Sequence, residues 1–530
     1  MTVREVLFVA SMAFRNLGRH RVKTIITVTA VAVSVSMYIF MDAWLTGMNL
    51  DSQRNIVMYE IGAAKIQRTA YFADKDELPM YENFGGHETL AAALAKAGYV
   101  SAPRFVFTGT LHSRSGSAPL VINAVDPVRE DRVLWYTSFI DSGRALRPGE
   151  RGLLVGSMAA EKLRVGIPQR LDRDEFEEDV LQAARDAEEE VFLRSMYIPF
   201  GSSSSPKSFM SRKESDRVLE NRLVLKTTVS DAEKERLWDI FSSAGRMDVR
   251  IATTIDIRDE KTGAIRHVNQ LVDAVVVGVV NSPNPQTNGN VAYMPMDSLQ
   301  DETGMMLEGR VTELIVRSAS AKDTVLPGHD EQSAVIRSRL LAALRDSAAD
   351  GEAASLAAAV DDGTLGVYYW EDYVADYIAA ARGDNVSTRI MAFFLFLLSF
   401  IGIANTMLMS ILERTKEIGM LRALGMTDGQ LVLSYTTEAA IVGFIGSTAG
   451  LVIGTLINIP MVRYGIDFSA MTEVMNGNIG YRVASYFRSA WNIPSMIGTF
   501  VLATVTSALM AVMPTVHALK MPVTDSLRFE

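Results

Sequence analysis

Four long stretches without a charged side chain constrain this chain more than any other feature. One runs from Thr24 to Met41; the others, Ile390–Ile411, Ala439–Val462 and Ile493–Val516, crowd toward the C-terminus. A hydrocarbon core about 30 Å thick takes roughly 20 apolar residues in helical form, and each stretch approaches or exceeds that length. Phe393-Phe394-Leu395-Phe396-Leu397-Leu398 is apolar on every side, so it offers no face to water. The first stretch is longer than the roughly 7–15 residues of a secretion-signal core, and is expected to persist as an anchor. The expected fold is therefore an α-helical membrane protein with four transmembrane helices, one plus three, and a large α+β extracytoplasmic domain between the first and second spans.

Charge sets the expected orientation. Arg4, Arg15, Arg19, Arg21 and Lys23 oppose only Glu5 ahead of the first span, which points to a cytoplasmic N-terminus. Four spans return the C-terminus to the same side and place residues 47–385 outside. The divisions expected are an amphipathic helix over 1–23, spans at 24–46, 386–412, 435–462 and 493–516, a cytoplasmic helix within 413–430, an outer loop at 463–492, and a tail at 517–530. Residues 47–385 hold 38 Lys and Arg against 52 Asp and Glu. That sign excludes a nucleic-acid binder, since phosphate contact needs the opposite charge. The most acidic part, 172–220, reads as an inserted helix and loop.

Within 47–385, strand patterns at Ala102–Leu111, Pro119–Ala124, Leu223–Thr228, Ala274–Val280 and Glu313–Val316 alternate with helical ones at Thr89–Ala97, Ser157–Leu163, Asp231–Ser243 and Ser333–Ala349. Asp256–Arg266 reads as a hairpin with Lys261-Thr262-Gly263 in its turn. Helical character beyond Trp44 and before Ile390 implies stalks that continue the first two spans. Met48, Leu50, Ile56, Val57 and Met58 are the apolar residues of the first stalk.

Enzyme signatures are missing from the sequence. The chain has no cysteine, hence no disulfide and no thiolate metal site; its six histidines form no H-E-x-x-H pair. There is no G-x-x-x-x-G-K-[ST] loop, so no cofactor is expected on this chain, and any ATP chemistry must come from another polypeptide. In the membrane stretches, Gly446, Gly450 and Gly454 recur every fourth residue, a spacing that permits close helix approach, either within the chain or across a dimer. Asn405 and Thr406 are expected to hydrogen-bond between helices, and Glu438 either marks an interface or reaches the preceding loop.

That loop carries the strongest local signal. From Leu412 it runs Glu413, Arg414, Thr415, Lys416, Glu417, Ile418, Gly419, Met420, Leu421, Arg422, Ala423, Leu424, Gly425. Ile411, Thr415, Ile418, Leu421 and Gly425 share one stripe, and Glu413, Lys416 and Glu417 form a charged face. A short amphipathic helix ended by Gly425 suits a partner's groove, and an ordinary connector is the plainer alternative. The segment strongly resembles the coupling helix of the MacB/LolC/LolE/FtsX group of ABC transporter permeases. Pro514…Ala518 and Pro522-Val523…Leu527-Arg528…Glu530 resemble the same group's ending, and Ala13-Phe14-Arg15-Asn16-Leu17 its beginning.

Gly152–Leu163, Val277–Pro285 and Val291–Met296 look closest to the lipoprotein-releasing LolC/LolE permeases. The resemblance implies a bacterial inner-membrane permease paired with a second permease chain, identical or sister, above a cytoplasmic ABC ATPase dimer that would hold ATP and Mg. It implies lipoprotein cargo, whose acyl chains Met48, Leu50, Ile56, Val57 and Met58 of the first stalk would face, a periplasmic carrier, contact with membrane lipids, and conformational work passed from the coupling helix to the outer domain. MacB-like efflux of a peptide, antibiotic or toxin, and FtsX-like activation of a cell-wall hydrolase, are the alternatives.

Overall fold

The computed structural model describes residues 21–199, 222–226, 228–258, 265–302, 309–321, 326–347, 351–467 and 486–520. The expected N-terminal amphipathic helix, the C-terminal tail, the turn of the 256–266 hairpin and most of the 463–492 loop lie outside these residues. The chain divides into a helical unit, drawn from residues up to Asp51 and from Asp376 onward, and a strand-rich unit centred on Ser52–Ala375.

Among the described residues, four helices are long and apolar enough to cross a membrane, and they make up most of the helical unit: Arg21–Ile56, Ala375–Glu413, Asp428–Arg463 and Ile493–Leu519. The second has 39 residues, about 58 Å at 1.5 Å per residue, so it overruns a 30 Å hydrocarbon core. The glycine ladder settles where the third helix goes. A Cβ on Gly446 would lie 2.8 Å from Val31 Cβ, one on Gly450 2.7 Å from the Ala32 carbonyl, and one on Gly454 3.2 Å from Ile39 Cβ. The ladder therefore seats the first helix of the same chain. On the opposite side Gly443 faces Ser507 of the fourth helix, and Ser447 shares a hydrogen bond of 3.1 Å with Thr504. Val31, Val35, Ile39, Phe396, Phe400, Ala439 and Ala503 close the core of this unit. Thr406 returns its hydroxyl to the Gly402 carbonyl of its own helix, and Asn405 is exposed, so neither bridges helices as expected.

The strand-rich unit is built on a ten-stranded mixed sheet. Its strands are β1 (Ala64–Arg68), β2 (Tyr99–His112), β3 (Ser117–Val125), β4 (Ile140–Gly143), β5 (Gly152–Gly156), β9 (Asp248–Arg258), β10 (Ile265–Val280), β11 (Val291–Pro295), β12 (Glu313–Ser318) and β13 (Leu365–Tyr369). The order is β13-β1-β12-β2-β3-β11-β5-β10-β4, with β9 paired to both β10 and β2. The β9–β10 arms pair antiparallel from Val275↔Asp248 to Ile265↔Arg258, flanking the expected turn. Helices Ser157–Leu163 and Asp231–Ser243 fall where the sequence pattern puts them, the latter started by a Ser230–Glu233 capping box.

Three short strands, β6 (Arg170–Asp172), β7 (Tyr197–Pro199) and β8 (Arg222–Leu225), make a second sheet in the order β6-β8-β7. They enclose the acidic stretch, whose Phe176, Val180, Leu181, Ala184 and Leu193 are buried in the main core. Its carboxylates are drawn into ion pairs: Glu190 with Arg185 and Arg194, Glu189 with Arg236, Glu175 with Arg246. The described part of the segment, 172–199, is thus packed into the core and carries acidic residues on its exposed side.

Candidate functional site

The second long helix breaks at Arg414, whose φ of −104° and ψ of 13° leave the helical region, and a nine-residue helix, Thr415–Ala423, follows. Its end is chemically specified. Gly425 takes φ +98°, its N–H donates to the Arg422 carbonyl, and the N–H of Met426 donates to the Leu421 carbonyl. This pair of bonds is the Schellman arrangement, which suits glycine because no Cβ obstructs the turn. Thr427 then caps the third long helix, its hydroxyl taking the Gln430 N–H while Gln430 Oε1 takes the Thr427 N–H. One helix ends and the next begins within a few residues.

The expected apolar stripe points inward. Ile411, Thr415 and Ile418 are buried, Leu421 partly so, and they pack with Leu431 and Tyr435 of the third helix and Leu519 of the fourth. Gly425 is exposed. Two arginines fasten the same contact. Arg414 Nη1 lies 3.6 Å from Glu438 Oε2, both side chains being buried, so Glu438 does reach the loop. Arg422 donates from Nη1 to the Leu519 carbonyl at 3.3 Å and pairs through Nε with Asp428 at 3.0 Å. A cation at the last carbonyl of the fourth helix is favoured by that helix's dipole. The face left outward carries Leu412, Glu413, Lys416, Met420 and Leu424, with Met420 54% and Leu424 79% exposed. The exposed face is therefore offset from the stripe that the sequence singled out, because that stripe packs the helix against its own chain.

A second polar assembly lies buried in the strand-rich unit. Lys65 on β1 gives Nζ to both oxygens of Glu313 on β12, at 2.8 and 2.9 Å. Arg104 on β2 bonds Glu130 through Nε at 2.8 Å, lies 3.5 Å from Glu313, and donates to the Glu60 carbonyl at 3.1 Å. The Glu60 carboxylate takes a bond of 2.8 Å from Asn284. Burial pushes the Lys65 ammonium pKa down despite Glu313, and pushes the Glu130 carboxyl up despite Arg104.

Glu60 belongs to the π-turn Val57–Ile61 that continues the first long helix, and Tyr373, whose ring lies 5.0 Å beneath Lys65 Nζ, sits just ahead of the second. Sequence reading missed this assembly. Val57 and Met58, with Ile56, are buried, and the turn packs on helix Pro127–Leu134. This corrects the expectation that Ile56, Val57 and Met58 face cargo; Met48 and Leu50 remain partly exposed.

The family match falls on the helical unit. Residues 389–523 match the family described as FtsX-like permease C-terminal. An uncharacterized ABC transporter permease of Methanocaldococcus jannaschii is 28% identical over 134 residues, 25% of this chain and 30% of that protein. The macrolide export ATP-binding/permease protein MacB of Mannheimia succiniciproducens is 34% identical over 88 residues, 16% of this chain and 14% of its own. The pyoverdine export ATP-binding/permease protein PvdT of Pseudomonas entomophila is 26% identical over 130 residues, 24% and 17% of the two chains. The chain spans less than a third of the length of these relatives. The matched residues hold the last three long helices and Thr415–Ala423, and by that match the chain is a membrane protein carrying a permease domain of the MacB/FtsX type.

Proposed function

We propose that this chain is the membrane subunit of an ABC transporter, driven by a partner ATPase that docks on Thr415–Ala423. The observation that carries this reading is the fastening of that helix. A push on its outer face is delivered at once to the third helix through Glu438, to the fourth through Leu519, and to the second through the chain itself. The resulting work is spent on cargo handled by the strand-rich unit, which lies outside the cytoplasm with both termini inside. Extraction of lipoproteins from the inner membrane, with handover to a periplasmic carrier, is the specific form. It is supported by the outer-domain segments that resemble lipoprotein-releasing permeases. Export of a small molecule is the second reading, favoured by the macrolide and pyoverdine exporters among the relatives.

Affinity purification of the tagged chain in mild detergent, followed by mass spectrometry, tests both. An ATPase with acylated lipoproteins supports lipoprotein release. An ATPase with an outer-membrane duct supports export. No ATPase under several detergents overturns the proposal.

A further inference from the structure

A groove of about 550 Å³ runs between the first, second and fourth long helices. Its polar lining residues are Tyr38, Arg389, Ser495, Thr499 and Thr506. The rest of the wall is apolar and aromatic. Phe396 and Phe400 stack with centroids 5.9 Å apart, Tyr38 meets Phe396 at 6.0 Å, and Met510 lines the groove with them. Arg389 is the one charged residue lining the groove, directly precedes the uncharged run from Ile390, and has no hydrogen-bond or ion-pair partner among the described residues. From Arg389 to Phe400 the helix rises about 16 Å, half of a 30 Å hydrocarbon core. An apolar slot one leaflet deep, with a lone cation at headgroup level, has the dimensions and charge of an anionic lipid's complement.

We propose that this groove holds one acyl chain of an anionic diacyl phospholipid of the surrounding membrane, with Arg389 pairing its phosphate. The inference rests on these helices crossing a bilayer and is independent of the cargo. Arginine on such a site presents its guanidinium at the interface while its stem lies along apolar surface, and a cation near an anionic headgroup favours binding about fivefold. Gly498 provides a second handle. It lines the groove, and its Cβ position has open space around it, so a side chain can be started there without a clash at Cβ.

The test is native mass spectrometry of the full chain in detergent, given equal amounts of dioleoyl phosphatidylglycerol and dioleoyl phosphatidylcholine. The wild type should retain one phosphatidylglycerol, about fivefold over phosphatidylcholine. Arg389→Lys should keep that preference, Arg389→Gln should bring the ratio to about one, and Gly498→Phe should release both lipids at an unchanged melting temperature. Equal retention by the wild type, or an Arg389→Gln ratio like the wild type's, overturns the proposal. Displacement of phosphatidylglycerol by a triacylated peptide overturns it in favour of cargo. A disulfide-linked dimer from Gly498→Cys, the only cysteine such a chain would contain, assigns the groove to a second copy.

Discussion

At the scale of single residues, the buried Arg414–Glu438 pair makes a test that separates fastening from docking. Removing one partner strands the other charge in a dry site, at a cost of about 3–5 kcal/mol, whereas replacing both with apolar residues of similar volume is near neutral. Glu438→Leu should lower the melting temperature of the detergent-solubilised chain sharply, and Arg414→Met/Glu438→Leu should restore most of it. The glycine ladder predicts a second effect. Gly450→Leu forces atoms into the Ala32 carbonyl and Val35, so the first helix must separate from the third. Proteolysis of the variant should release the N-terminal helix that the wild type retains. These residues differ in how they could be read from sequence. The ladder is visible as a spacing, but a spacing does not name its partner. Arg414 and Glu438 are each visible as a charge beside an apolar run, yet only the turn at Gly425 brings them together.

At the scale of elements, Thr415–Ala423 was legible because everything that makes it a helix is local: an amphipathic period, a terminating glycine, and Thr427 with Gln430 to start the next helix. Its direction was not legible. Amphipathic spacing identifies a buried face without saying whether the cover is the chain itself or a partner, and here the cover is Leu431, Tyr435 and Leu519. The expected consequence is a clean split between variants. Met420→Asp and Leu424→Asp alter exposed side chains, so stability should stay within about 0.5 kcal/mol of the wild type. ATPase co-purification should nevertheless fall, because exposed apolar side chains at the centre of an interface cost about 2 kcal/mol or more when lost. Ile418→Asp buries a charge and should unfold the segment, which a melting curve would distinguish from loss of docking. The strands of the strand-rich unit were legible for the same local reason, as alternation. Their order was not, since β1 pairs with β12 and β13 across about 250 to 300 residues.

At the scale of the molecule, the strand-rich unit receives its two connections to the long helices beside one buried ionic assembly: Glu60 from the first, Tyr373 from the second, with Lys65, Arg104, Glu130 and Glu313 between. No window of sequence could show this, because Lys65 and Glu313 lie 248 positions apart. On the proposed function, such an assembly would hold the two connections at a fixed spacing and pass on displacement where an apolar contact would slide. Lys65→Met/Glu313→Leu should leave the domain folded and basal ATP hydrolysis intact. Cargo release per ATP should drop roughly 5- to 150-fold, the span of ordinary coupling energies. A reconstituted assay that reads hydrolysis and release in parallel checks this; equal loss of both would place the fault in folding.

The burial of that assembly has a further consequence, for ionic strength. Charges on the acidic outer surface are screened once they lie more than about 8 Å apart in physiological salt, whereas buried pairs are screened far less. Partners attracted by the surface of this domain should therefore detach as salt rises, while the internal linkage persists. A salt titration becomes a dissecting tool, removing what the protein meets before touching what it transmits.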